Sequence, residues 1–133
     1  MGHIIGIIEK AIDGGYGIYS KDIKGLVGYG LSEAEARQNF IENVEEQAEY
    51  YNEKNGKYPE WYQKGYTIEY KYDLSGFFLT FPFIDATKLA RYIGINPSLM
   101  RRYKSGLIAG EKQKDLIQTK INEIIENMAR VKF

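Results

Sequence analysis

The hydrophobic period of the chain changes at Asp73 and does not change back. Before that point apolar residues fall in short runs or strict alternation, broken by one long stretch with helical spacing. After it they recur only at steps of three and four residues. A period of two alternates side chains between the faces of a strand, whereas a period near 3.6 lines them along one side of a helix. The expected fold class is therefore α+β: a β-β-β-α-β unit over residues 1–72, then an all-α unit over residues 73–133. At 133 residues the chain has room for two small units and would bury roughly two-thirds of its surface.

Ile4 to Ile12 is β-branched and reads as a buried first strand. Asp13-Gly14-Gly15 supplies a tight hairpin turn, and Tyr16–Ser20 returns from it. A second turn at Asp22-Ile23-Lys24-Gly25 leads to Leu26–Gly30, completing an antiparallel meander. Ser32 with Glu35 three residues on is a capping box at the head of a helix of about six turns. Ala36, Phe40, Ile41, Val44, Ala48 and Tyr51 make its apolar stripe. The other faces carry Glu33, Glu35, Glu42, Glu45, Glu46, Glu49 and Glu53 against Arg37 and Lys54. Asn55-Gly56 ends the helix and Pro59 falls in the following loop. Tyr66–Tyr72 then alternates as a fourth strand, aromatic residues on one face and Thr67, Glu69 and Lys71 on the other.

In the second unit Asp73 caps a short helix carrying Leu74, Phe77, Phe78 and Phe81, which Pro82 stops. Further helices are expected over Ala86–Tyr92, Pro97–Lys104 and Lys112–Met128. The middle pair is the most informative. Ala90 is small where two helices must cross, and Gly94 can take the left-handed conformation that ends the first of them. Asn96 is a strong N-cap, and Pro97 is pre-set for the first helical position. Leu89, Ile93, Ile95, Met100 and Tyr103 are placed to face the core between the helices. A helix, a sharp turn and a second helix make a helix-turn-helix, whose second helix can enter the major groove of DNA. Asn96, Ser98, Arg101 and Arg102 point away from the expected core and are candidates for base contact. Lys88, Lys104 and Ser105 are candidates for phosphate contact. The competing reading is an ordinary helical hairpin with a solvated basic face.

Charge bears on that choice. The 18 basic and 18 acidic residues cancel, which taken alone argues against nucleic acid. They are segregated, however. Residues 1–72 hold 8 bases and 12 acids, residues 73–133 hold 10 bases and 6 acids, and residues 86–110 contain no acid at all. A basic half within a neutral chain is compatible with a DNA partner.

Two stretches resemble a known family. The run from Asp13 to Gly25, with Gly28-Tyr29-Gly30 and Ser32-Glu33-Ala34-Glu35-Ala36, resembles the N-terminal domain of HicB antitoxins. The run from Gly94 to Gly106, with Glu111-Lys112-Gln113, is similar to the lambda-repressor-like C-terminal domain of one HicB subclass. The resemblance implies a degenerate RNase H-like core over residues 1–72 and a DNA-binding and oligomerisation domain over residues 73–133. It also implies an antitoxin of a type II toxin–antitoxin system. Such a protein binds a HicA-like ribonuclease toxin, occludes its active site, and represses its own operon as a dimer or higher oligomer on double-stranded operator DNA. Where many relatives have a Pro-Asp-Leu-Pro-Gly-Cys segment, this chain has Lys21-Asp22-Ile23-Lys24-Gly25-Leu26. Toxin contacts are expected among Tyr16, Tyr19, Glu42, Glu45, Glu46, Glu49 and Trp61. The acidic helix would steer a basic partner, although an acidic run on a long helix is also what a plain solvated face looks like. An orphan regulator lacking a toxin partner is the alternative.

No enzyme is expected. The middle of the first strand, Ile4-Ile5-Gly6-Ile7-Ile8, lacks the carboxylate that a two-metal nuclease would place there. Gly28-Tyr29-Gly30 lacks the remaining residues of a dinucleotide or phosphate-binding loop. With no Cys and only His3, there is no thiolate nucleophile, no Cys zinc site and no histidine cluster. No cofactor or metal is expected. The N-terminus has no charged leader pattern and no apolar run approaches bilayer length, so a cytoplasmic protein without a membrane partner is the expectation.

Overall fold

In the computed structural model, which describes residues 1–133, the elements run β1 (Gly2–Lys10), β2 (Tyr16–Ser20), β3 (Val27–Gly30), α1 (Glu33–Asn55), α2 (Glu60–Gln63) and β4 (Tyr66–Tyr72). Four helices follow: α3 (Leu74–Thr80), α4 (Ala86–Ile93), α5 (Pro97–Lys104) and α6 (Glu111–Ala129). The class is α+β, with one four-stranded mixed sheet and six helices. The sheet order is β3-β2-β1-β4. β1, β2 and β3 pair antiparallel, and β4 joins β1 in parallel after the crossover that carries α1.

β1 stops at Lys10, short of the apolar Ile12, which is fully exposed. The hairpin begins one residue earlier, where the Ala11 N–H bonds the Gly15 carbonyl and the Gly14 N–H bonds Ala11. Turn hydrogen bonding overrides the apolar side chain. Ser32 caps α1 as expected, its hydroxyl accepting the Glu35 N–H at 3.2 Å. The buried line of α1 is Ala36, Phe40, Val44 and Ala48, while Ile41 and Tyr51 are exposed. A strict four-residue step makes a narrower stripe than the sequence reading allowed.

Two glycines explain why α1 lies so close over β3. A Cβ on Gly28 would stand 2.6 Å from the Phe40 amide nitrogen, and one on Gly30 would stand 2.5 Å from that of Ala36. Side chains at either place would push the helix off the sheet. α2 was not anticipated, because a single turn of four residues carries no readable period.

Two apolar clusters fall on either side of Asp73. One joins Ile4, Ile8, Ile18, Leu26, Phe40 and Val44 between sheet and α1. The other joins Phe78, Ala90, Ile93, Met100, Tyr103 and Ile117 among the later helices. Between them, Asp73 donates its N–H to the Ile8 carbonyl and accepts from Gly76 N–H at 2.9 Å and Ser75 Oγ at 2.6 Å. Ser75 Oγ in turn accepts the Lys10 N–H at 3.0 Å. This buried network pins the start of α3 to the end of β1. No helix is long and apolar enough to cross a membrane.

Candidate functional site

The α4–α5 unit is assembled by caps. Asp85 accepts the Lys88 N–H at 2.8 Å and starts α4. Gly94, at φ 83°, ends it in the left-handed conformation, its N–H on the Ala90 carbonyl. Asn96 then starts α5 by accepting from Ser98 N–H at 2.8 Å and Leu99 N–H at 3.2 Å. Ala90, Ile93, Ile95, Met100 and Tyr103 are buried where the helices meet, with Leu89 partly so.

Burying that face of α5 leaves Ser98, Arg101, Arg102 and Ser105 together on the opposite side. With Leu107 they line an open concavity of about 390 Å³ that contains no carboxylate. Arg101 Nη1 donates to Thr87 Oγ1 at 2.9 Å, which ties the guanidinium to α4 while leaving it exposed. A surface of this shape, with two guanidinium forks and two hydroxyls, can bond phosphate oxygens or base edges.

The other expected DNA contacts lie apart from this concavity. Asn96 is exposed at the head of α5, but its carbonyl oxygen is committed to the cap. The Lys104 ammonium sits 6.0 Å from the centre of the Phe78 ring. Lys88 and Lys104 both lie near Asp85, whose carboxyl is held below its ordinary value first by the Lys88 N–H and further by these two cations. The acid-free window thus has a carboxylate at its border, close to two of its lysines. Ser98, Arg101, Arg102 and Ser105 are the residues that converge.

The acidic helix has two flanks. Glu42, Glu46 and Glu53 follow steps of four and seven residues along one face and are exposed. Glu42 accepts from Gln38 Nε2 at 3.1 Å. On the flank toward β4, Glu45 accepts from Tyr62 at 2.7 Å and Tyr66 at 2.8 Å, and Glu49 accepts from Tyr58 at 2.7 Å. The bond to Glu45 pushes the Tyr62 hydroxyl up to about 12. Burial, reinforced by Glu45, takes Tyr66 to about 12 as well. Farther along, Tyr72 donates to Glu33, which also pairs with Arg37 at 2.9 Å, and the Arg37 guanidinium lies 4.3 Å from the Tyr70 ring centre. Trp61 packs edge-on to Tyr62 and Tyr66 and borders a cleft of about 480 Å³ with Ile23, Leu26 and Tyr50.

The residues expected to touch a toxin do not form one patch. Glu45, Glu49 and Trp61 share the tyrosine cluster, and Glu42 and Glu46 face solvent. Tyr16 and Tyr19 stand on opposite faces of β2, as their three-residue separation requires. Tyr19 instead neighbours Glu9 and Asp73. Burial, then the charge of Asp73, raises the Glu9 carboxyl above its ordinary value. Sequence reasoning missed this approach of half-buried Glu9 to buried Asp73 because the fold brings together residues far apart in the chain. No group of three or more His, Cys, Asp or Glu side chains is positioned to hold a metal ion.

Comparison of the chain with protein-family models, curated proteins and solved structures finds no match.

Proposed function

We propose that α4–α5 is a helix-turn-helix that binds double-stranded operator DNA, and that the chain is a HicB-like antitoxin repressing its own operon. The observation that carries the DNA reading is the convergence of Ser98, Arg101, Arg102 and Ser105 on a carboxylate-free concavity of α5. Arg101 and Arg102 read guanine edges or clamp phosphates, and Ser98 and Ser105 fix register. The protein acts as a binder, with no catalytic step. Self-association puts two α5 helices on the half-sites of a palindrome, ~34 Å apart. The distal part of α6 supports this reading. Ile117 is buried in its own core, whereas Ile125 and Met128 remain exposed and continue the apolar line.

The toxin reading rests on the family resemblance and on the exposed carboxylates of Glu42, Glu46 and Glu53, which suit a basic ribonuclease. Glu45 and Glu49 are engaged by tyrosines of their own chain. That observation favours the second reading, an orphan regulator whose N-terminal half only oligomerises. The deciding experiment measures operator binding and toxin neutralisation side by side. Arg101→Ala/Arg102→Ala should abolish sequence-specific binding of the promoter fragment and leave neutralisation of the adjacent gene's product intact. Unchanged DNA binding removes α5 from the interface, and failure of the wild-type chain to bind or neutralise that product leaves the orphan regulator.

A further inference from the structure

The two edges of the sheet are finished differently. On β3, Asn43 Oδ1 accepts the Val27 N–H at 2.9 Å, and Asn39 Nδ2 donates to the Tyr29 carbonyl. Side-chain amides of α1 thereby occupy one backbone group of each outward residue on that edge. β4 has no such cover. At its ends the Gly65 carbonyl accepts from Gly2 and the Asp73 N–H donates to Ile8, so the odd-numbered residues between them turn their backbone groups toward β1. Tyr66, Ile68, Tyr70 and Tyr72 turn theirs outward. No hydrogen bond within the chain reaches those outward groups. The helix that might have shielded them lies over β3 instead, drawn there by Gly28 and Gly30.

We propose that β4 is a self-association edge, to which the β4 strand of a second copy adds antiparallel to form one continuous sheet. The strand is charge-complementary to itself in one register only. Outward-facing residues must meet outward-facing residues, so the twofold axis falls on a residue, and Ile68, Glu69 and Tyr70 are the choices that pair most of the strand. Centred on Glu69, two carboxylates would be forced together at the closest pair. Centred on Ile68, Glu69 would face Thr67 and gain no cation. Centred on Tyr70, each Glu69 faces Lys71 of the second copy, and this pair occupies the non-hydrogen-bonded position where side chains approach most closely. Ile68 then lies opposite Tyr72 and Tyr70 opposite its own copy, with their backbone groups exchanging hydrogen bonds.

Charged residues on an edge ordinarily discourage pairing. Here their signs are opposite and two residues apart, so an antiparallel copy satisfies them while a displaced one does not. The proposal is independent of the operator reading, since no residue in it touches α5.

The chain has no cysteine, which makes the register directly testable. Glu69→Cys and Lys71→Cys proteins are prepared separately and oxidised mildly, each alone and then mixed. A disulfide-linked dimer forming predominantly in the mixture is the expected result, because position 69 meets position 71 of the other copy. Equal crosslinking of each variant alone overturns the register, and no crosslinking in the mixture overturns the interface. Sedimentation of full-length variants supplies a second readout. Glu69→Lys should weaken self-association roughly tenfold, and Glu69→Lys/Lys71→Glu should restore it. A Glu69→Lys chain that associates like the wild type overturns the proposal.

Discussion

Gly30 shows how a missing side chain can position an element. A methyl group there would meet the Ala36 nitrogen at 2.5 Å, and backbone cannot turn aside as a side-chain end can. Gly30→Ala should therefore destabilise the chain by about 1–3 kcal/mol. The loss would be read as a lower urea midpoint at unchanged slope. Gly14, with open space around it, makes a poor control because its φ of 94° strains any substitution. Gly110 is the better one, with open space and no positive φ, and because it caps α6 Gly110→Ala should cost about 0.5–1 kcal/mol, less than at Gly30.

Glu9 gives the pH dependence at the same scale. Its carboxyl titrates above its ordinary value of 4.5 in the folded chain, because burial and Asp73 disfavour the charge. The folded state therefore binds more protons than the unfolded state as pH rises through that window, and stability falls with rising pH there. At lower pH, where Glu9 is protonated in both states, the penalty vanishes. Glu9→Gln should raise the Tm at pH 7 and leave it nearly unchanged below pH 4, as followed by calorimetry across pH. An equal gain at both pH values would mean that packing, not charge, was relieved.

At the scale of elements, Asn96 caps α5 and stands at the head of the helix proposed for DNA, and substitutions can separate the cap from any contact with DNA. Asn96→Ala removes the acceptor for Ser98 and Leu99 and should cost about 1 kcal/mol. Asn96→Asp keeps a capping oxygen, so thermal stability should hold, yet it adds an anion to the face proposed for DNA. Operator affinity should fall several-fold for Asn96→Asp at unchanged Tm, measured by fluorescence anisotropy. Equal affinity would place Asn96 outside the interface and leave it as a cap alone.

The same helix shows what could be read from sequence. Ser32, Asp73, Asp85 and Asn96 all cap helices within three residues of themselves, so their bonds are written in local spacing. The α4–α5 turn was legible for the same reason. Bonds formed across the fold were not. Arg101 meets Thr87, Tyr66 meets Glu45, and Asn39 meets the β3 edge, each at a separation that no local period encodes. The acidic helix was therefore read as one uniform face. Folding divides it into a solvent line and a flank bound to tyrosines. The parallel placement of β4 was equally invisible, because alternation reveals a strand and its faces but not its neighbour.

At the scale of the whole molecule, the charge balance is a matter of placement. The acidic α1 and the basic concavity of α5 lie on elements packed around separate apolar clusters, so the neutral total hides two surfaces of opposite charge. Operator binding should accordingly weaken steeply with salt. The residual, non-specific binding of the Arg101→Ala/Arg102→Ala chain should show a slope of log K against log salt shallower than that of wild-type non-specific binding by up to about two. A slope equal to the wild type would mean that neither guanidinium neutralises phosphate.

The self-association proposed for α6 has its own test. The helix buries Ile117 at 3% exposure, partly buries Ile121 and Ile124, and leaves Met128 67% exposed. Positions 117, 121, 124 and 128 alternate steps of four and three, the spacing of a coiled-coil seam, and only its first part is covered by the chain itself. If a second copy covers the remainder, Met128→Asp places a charge in an apolar seam without touching the monomer's core. Chain stability at low concentration should then stay within about 0.5 kcal/mol of wild type, as for an exposed site. Affinity for an isolated half-site should also be unchanged, because α5 is intact. Affinity for the full palindrome should fall roughly tenfold or more, since the two half-sites no longer share one linked binding event. Equal loss on half-site and palindrome would show that α6 supports α5 within one copy, and the seam would then belong to the monomer's own fold.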